Sequence, residues 1–88
     1  MFIVYPRWKG LPVIPTKAAM SELYKLCMSL EDVVEILENG EPSGARRKKG
    51  THEICLARKG KLVKVVVALS YNFSLKMDCW VLVHVGEY

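Results

Sequence analysis

The chain has 88 residues, 51% of them hydrophobic, with a mean hydropathy of +0.14 and a formal net charge of +4 at pH 7. That length suits one core and excludes a second, and the apolar fraction excludes an intrinsically disordered chain. The longest apolar runs, Met1 to Tyr5 and Val65 to Leu69, fall far short of the roughly 20 residues of a membrane-spanning helix. Pro6, Arg7 and Lys9 interrupt the start that a secretory signal would need, so a cytoplasmic domain with no membrane segment is expected.

Residues 1–15 begin with Phe2-Ile3-Val4-Tyr5, which reads either as a short edge strand or as an arm packed on the core. Pro6, Gly10, Pro12 and Pro15 then predict a connecting loop. A helix is predicted to start at the N-cap Thr16, with Ala19, Leu23, Leu26 and Leu30 on one stripe, widened by Met20, Tyr24 and Cys27. Lys17, Ser21, Glu22 and Lys25 form its polar face. Ser29, with an acid three residues on, opens a second helix as a capping box does. Leu30, Val33, Val34 and Leu37 lie on its apolar face and Glu31, Asp32, Glu35 and Glu38 on the other. Asn39-Gly40 tolerates a left-handed C-terminus, and Pro42 confirms the stop.

The remainder reads as strands. From Thr51 to Ala57, His52, Ile54 and Leu56 alternate with Thr51, Glu53, Cys55 and Ala57. Arg58-Lys59-Gly60-Lys61 is a tight turn leading into a core strand, Leu62 to Leu69, whose two apolar faces only Lys64 interrupts. Ser70 to Met77 is polar enough for a loop, and Asp78 to Val85 forms a last strand. In that strand Cys79, Val81, Val83 and Val85 alternate against Trp80, Leu82 and His84. The expected fold is a single α+β domain over 1–88: two N-terminal helices (16–39) packed on one face of an antiparallel three- to four-stranded meander sheet (51–86).

Charge is placed unevenly along this order. Glu31 to Glu41 holds five acids and no base, and Arg46 to Lys64 holds eight bases against the single Glu53. Such a basic concentration raises the local density of a polyanion, although lysines at a turn also keep sheet edges soluble. Cys27, Cys55 and Cys79 match neither a disulfide framework nor a C-x-x-C knuckle, and read as reduced, mostly buried thiols. His52 and His84, with no further ligands at suitable spacing, predict no metal site. Phosphate-loop, dinucleotide and nucleophile-elbow motifs are lacking, so no cofactor is expected.

The phrase Ser29-Leu30-Glu31-Asp32-Val33-Val34-Glu35-Ile36-Leu37-Glu38-Asn39-Gly40 is followed by Gly50-Thr51-His52-Glu53-Ile54, Leu62-Val63-Lys64-Val65-Val66-Val67 and Trp80-Val81-Leu82-Val83-His84-Val85. This text resembles a group of small prokaryotic domains related to the RelE and BrnT toxins of toxin-antitoxin systems, over about residues 16–86. The resemblance implies a RelE-like fold and a toxin-like protein that binds or cleaves RNA, with RNA or the ribosome as target and an acidic antitoxin-like protein as partner. The family places a histidine and an arginine near the start of its first helix. Thr16-Lys17-Ala18-Ala19-Met20-Ser21 has neither, so those roles do not transfer.

Metal-independent RNA cleavage needs a base for the 2′-hydroxyl proton, cations for the charged phosphorane and an acid for the leaving oxygen. His52 or Glu53 is a candidate base, Arg46, Arg47 and Arg58 are candidate phosphate clamps, and Lys64, His84 or Tyr88 is a candidate acid. Arg46, Arg47, Lys48, Lys49 and Lys61 make up the nucleic-acid-binding set. His52 and Glu53, adjacent on a strand, point to opposite faces and cannot both serve one site. Two alternatives use the same residues without catalysis: a nucleic-acid or protein-interaction module, and a structural protein whose spare apolar surface makes it a homodimer.

Overall fold

A computed structural model describes residues 4–43 and 49–88. Met1 to Ile3 and the run Gly44 to Lys48, which includes the candidate cations Arg46, Arg47 and Lys48, lie outside the described residues. In chain order the elements are β1 (Arg7–Trp8), β2 (Leu11–Pro15), α1 (Lys17–Leu26), α2 (Leu30–Asn39), β3 (Glu41–Pro42), β4 (Thr51–Arg58), β5 (Lys61–Asn72) and β6 (Met77–Glu87).

The sheet corrects the expected three- to four-stranded antiparallel meander. Among the described residues six strands pair in the order β1-β2-β6-β5-β4-β3 and curl into a half-barrel. The sheet is mixed, because β2 runs parallel to β6, with Val13, Ile14 and Pro15 opposite Trp80, Val81 and Leu82. The proline-rich stretch read as a loop is therefore β2. Its prolines sit near the two ends of the strand, and Val13, fully buried between them, gains more from the core than the prolines cost in missing N–H groups. Ser70 to Asn72 likewise extends β5, and only Phe73 to Lys76 turns. Asn72 Oδ1 accepts the Leu75 N–H at 2.8 Å, and Lys76 takes the left-handed conformation that closes the turn.

Both helices are capped from within their own sequence. Thr16 Oγ1 accepts the Ala19 N–H at 3.1 Å. At α2 the Ser29 hydroxyl accepts the Asp32 N–H while the Asp32 carboxylate accepts the Ser29 N–H, a reciprocal capping box. Ala19 and Leu23 of α1, with Val33, Ile36 and Leu37 of α2, pack on Val13, Ile54, Val63, Val65, Val67, Trp80, Leu82 and Val85. Met20 and Tyr24, expected in the α1 stripe, are exposed instead, and Ile36 enters the core of α2.

Gly40 serves a purpose other than the left-handed cap expected of it. Its φ is −82°, which any residue adopts. A Cβ there would lie 2.5 Å from the Cys55 carbonyl oxygen and 2.6 Å from that of Ile36. Glycine is needed because α2 ends against the backbone of β4. At the next hairpin Lys59 and Gly60 both have positive φ, giving the two-residue turn whose twist matches that of β4 and β5. Among the described residues no helix is long and apolar enough to cross a membrane.

Candidate functional site

Register decides which side chains meet. Ile54, Val65 and Val85 form one cross-strand row of the face that the helices cover, and His52, Val67 and Leu82 form the next. At Val66/Val67 the pairing with β6 slips: Val66 faces His84 but Val67 faces Leu82, leaving Val83 as an extra residue. This bulge breaks the alternation of β6. Val85 joins Trp80 and Leu82 on the helix-covered face, and His84, read from the sequence as their neighbour, turns to the outer face.

On that outer face Glu53, Val66 and His84 stand in one cross-strand row, and Cys55, Lys64 and Gly86 in the next. His84 Nδ1 lies 2.8 Å from one carboxylate oxygen of Glu22 and 3.1 Å from the other. The second oxygen also accepts the Val85 N–H at 3.3 Å. Glu22 therefore reaches from α1 to the open edge of β6 and holds the ring there. A carboxylate on Nδ1 favours the tautomer with its hydrogen on that atom, which makes Nε2 the acceptor nitrogen of the ring.

Nε2 lies 3.3 Å from the Tyr88 hydroxyl. Tyr88 is placed by two backbone hydrogen bonds to Leu62, at 2.7 and 3.2 Å, and the Lys64 ammonium sits 4.6 Å from its ring centre. Gly86 leaves room for the pair: a Cβ there would lie 3.0 Å from His84 Nε2 and 3.3 Å from the Tyr88 ring and hydroxyl. Carboxylate, imidazole, phenol and ammonium thus occupy one partly exposed patch built from α1, β5 and β6. Beside it the buried Glu53 carboxylate accepts a hydrogen bond from the Ser43 hydroxyl.

The other candidate residues lie elsewhere. His52 is on the helix-covered face at the rim of the core, its ring edge-on to Trp8 and Trp80 at 5.8 and 5.3 Å. The indole of Trp80 donates to the Trp8 carbonyl at 3.0 Å, and the Lys9 ammonium lies 4.8 Å from the Trp8 ring centre. Arg58 donates to Asp32 at 3.3 Å and so ties β4 to the start of α2. Hydrogen bonds from the Ser29 backbone and hydroxyl, with the Arg58 guanidinium, hold the Asp32 carboxyl below the ordinary carboxylate range. Lys61 reaches Glu87 at 3.9 Å, and Lys49 is exposed in the turn before β4. Of the expected catalytic residues, then, the fold brings Lys64 and His84 together and keeps His52 and Arg58 apart from them.

Cys27, expected to be buried, is exposed at the left-handed end of α1, Cys55 is half-buried, and burial pushes the Cys79 thiol up, aided by Asp78. Among the described residues no three His, Cys, Asp or Glu side chains converge as metal ligands. Sequence reasoning placed Glu22 on the polar face of α1 and passed over Gly86. No local pattern links a helix carboxylate to a histidine 62 residues later. No family model, curated protein or solved structure matches the chain.

Proposed function

We propose that the chain binds single-stranded RNA across its outer sheet face and cleaves it without a metal. His84 Nε2 takes the 2′-hydroxyl proton, and the 2′-oxygen attacks the neighbouring phosphorus. The Lys64 ammonium offsets the charge gathering on the phosphorane, and the Tyr88 hydroxyl protonates the departing 5′-oxygen. The products are a 2′,3′-cyclic phosphate and a free 5′-hydroxyl. His84 then returns its proton to Tyr88, whose hydroxyl lies at hydrogen-bonding distance. The observation that carries this reading is the Glu22 carboxylate on His84 Nδ1, which leaves Nε2 as a base beside an acid and a cation.

The basic segment Arg46 to Lys49 supports RNA as the polyanion by its charge. An acidic protein covering this face would compete with RNA, and is the second partner that the charge suits.

The test is incubation of the purified protein with a labelled single-stranded RNA in a chelator, with cyclic-phosphate ends scored. His84→Ala is expected to lower the cleavage rate by about 10²- to 10⁴-fold, the usual contribution of a positioned acid or base. Glu22→Gln should cause a smaller loss, since the ring stays but its orientation loosens. Salt-sensitive binding with no cleavage by the wild-type chain would replace this reading with a non-catalytic binding module.

A further inference from the structure

The long hairpin of β5 and β6 outruns the helices that cover it. Twelve residues of strand span about 40 Å whereas a ten-residue helix spans about 15 Å. The overhanging arm, residues 69–80, buries Cys79 and Trp80 at its base but leaves apolar side chains exposed further out. Leu69, Tyr71, Phe73 and Leu75 are 48, 47, 83 and 43% exposed, and the Tyr71 and Phe73 rings stack edge-on at 5.0 Å.

Among the described residues the backbone of the arm also lacks partners on one side. Pairing of β5 with β4 ends at Ala68 opposite Thr51, and the Leu69 N–H donates to the Gly50 carbonyl at 2.8 Å. Two residues on, the Tyr71 N–H and C=O point to that same side, where among the described residues no strand pairs with them. Free edge groups flanked by apolar side chains are a template for another strand.

We propose that the partner is a second copy of this chain, the two arms pairing antiparallel about a two-fold axis at Tyr71. An antiparallel edge is its own complement: the N–H of each Tyr71 meets the C=O of the other, and Leu69 and Phe73 of both copies close over the joint. Charge permits the contact, since Lys76 and Asp78 cancel within the arm although the chain carries +4. The same balance disfavours a phosphate chain on this surface, which would need net cations. The arm offers about a dozen residues against the 20 to 30 per side of a standard interface, so the dimer is a weak one. It is independent of the outer-face chemistry.

Sedimentation or light scattering over a concentration series tests the pairing. The mass should rise from 10.0 kDa towards twice that value, and Leu69→Lys with Phe73→Lys should hold the monomer while circular dichroism shows an unchanged fold. In a Cys27→Ser background, Tyr71→Cys should form an intermolecular disulfide, because directly opposed residues lie about 5.5 Å apart at Cα, within disulfide reach. Tyr24→Cys, exposed on α1, serves as the control. A wild-type mass of 10.0 kDa at every concentration would overturn the proposal. So would a dimer that cross-links through Tyr24→Cys as readily as through Tyr71→Cys, or a monomer whose RNA binding is lost in the Phe73→Lys variant.

Discussion

The two faces of one sheet make opposite use of the same three strands. On the covered face Ile54, Val63, Val65, Val67, Leu82 and Val85 meet the helices and exclude water. The outer face presents Lys64, His84 and Tyr88, with Glu22 arriving from α1. What separates them is a single extra residue. Without the bulge at Val83, His84 would point into the aliphatic core and Val85 out of it. The bulge lets a strand of continuous valine and leucine bury one side and still aim an imidazole from the other.

Substitutions on the two faces should therefore fail in different ways. The largest effect expected is Ile36→Ala against His84→Ala. Ile36 is fully buried, and its truncation should cost about 2 to 5 kcal/mol of unfolding free energy, read by denaturant titration, while the outer patch keeps its arrangement. His84→Ala should leave the denaturation midpoint almost unmoved and, on the proposed mechanism, lower cleavage by about 10²- to 10⁴-fold. If His84→Ala proved as destabilising as Ile36→Ala, the division between the faces would be wrong.

Gly40→Ala comes next. The new methyl meets two backbone carbonyls where α2 abuts β4, and backbone gives way less readily than a side-chain tip. A loss of about 1 to 3 kcal/mol is expected, and a neutral substitution would mean that this joint is looser than described.

Asp32→Asn is smaller, and pH reveals its sign. The folded-state carboxyl is held below its usual range, first by the Ser29 backbone. Its contribution is therefore present above the unfolded value near 3.9 and disappears as pH falls through the folded value. The variant should lose about 1 kcal/mol at neutral pH, the worth of a typical cap, and the gap from the wild type should narrow below about pH 4. A gap unchanged at low pH would show that the Asp32 charge is not what stabilises α2.

The smallest effect concerns thiols. Cys27 should alkylate within the time that leaves Cys79 unmodified at neutral pH, because burial both shields the Cys79 thiol and pushes its pKa up. Equal rates would mean that the outer side of β6 opens readily.

Local rules reached part of this structure. Thr16 and Ser29 announce the helix starts by side-chain chemistry that acts within three residues, and Gly60 announces its hairpin for the same reason. The parallel pairing of β2 with β6 was hidden because proline content speaks only of local cost, whereas Val13 is held by partners more than 60 residues away. His84 was nominated as a candidate but assigned the wrong face, since a strict two-residue period has no place for the extra Val83. Glu22 was missed outright, its partner being a residue that only the fold brings near.

The position of the His84 ring tests the central claim most directly. Nuclear Overhauser contacts from its ring protons should appear to Tyr88, Val66 and Glu22, and long-range nitrogen-proton correlations should show hydrogen on Nδ1. Contacts to Ile36, Val67 or Leu82, or hydrogen on Nε2, would contradict it.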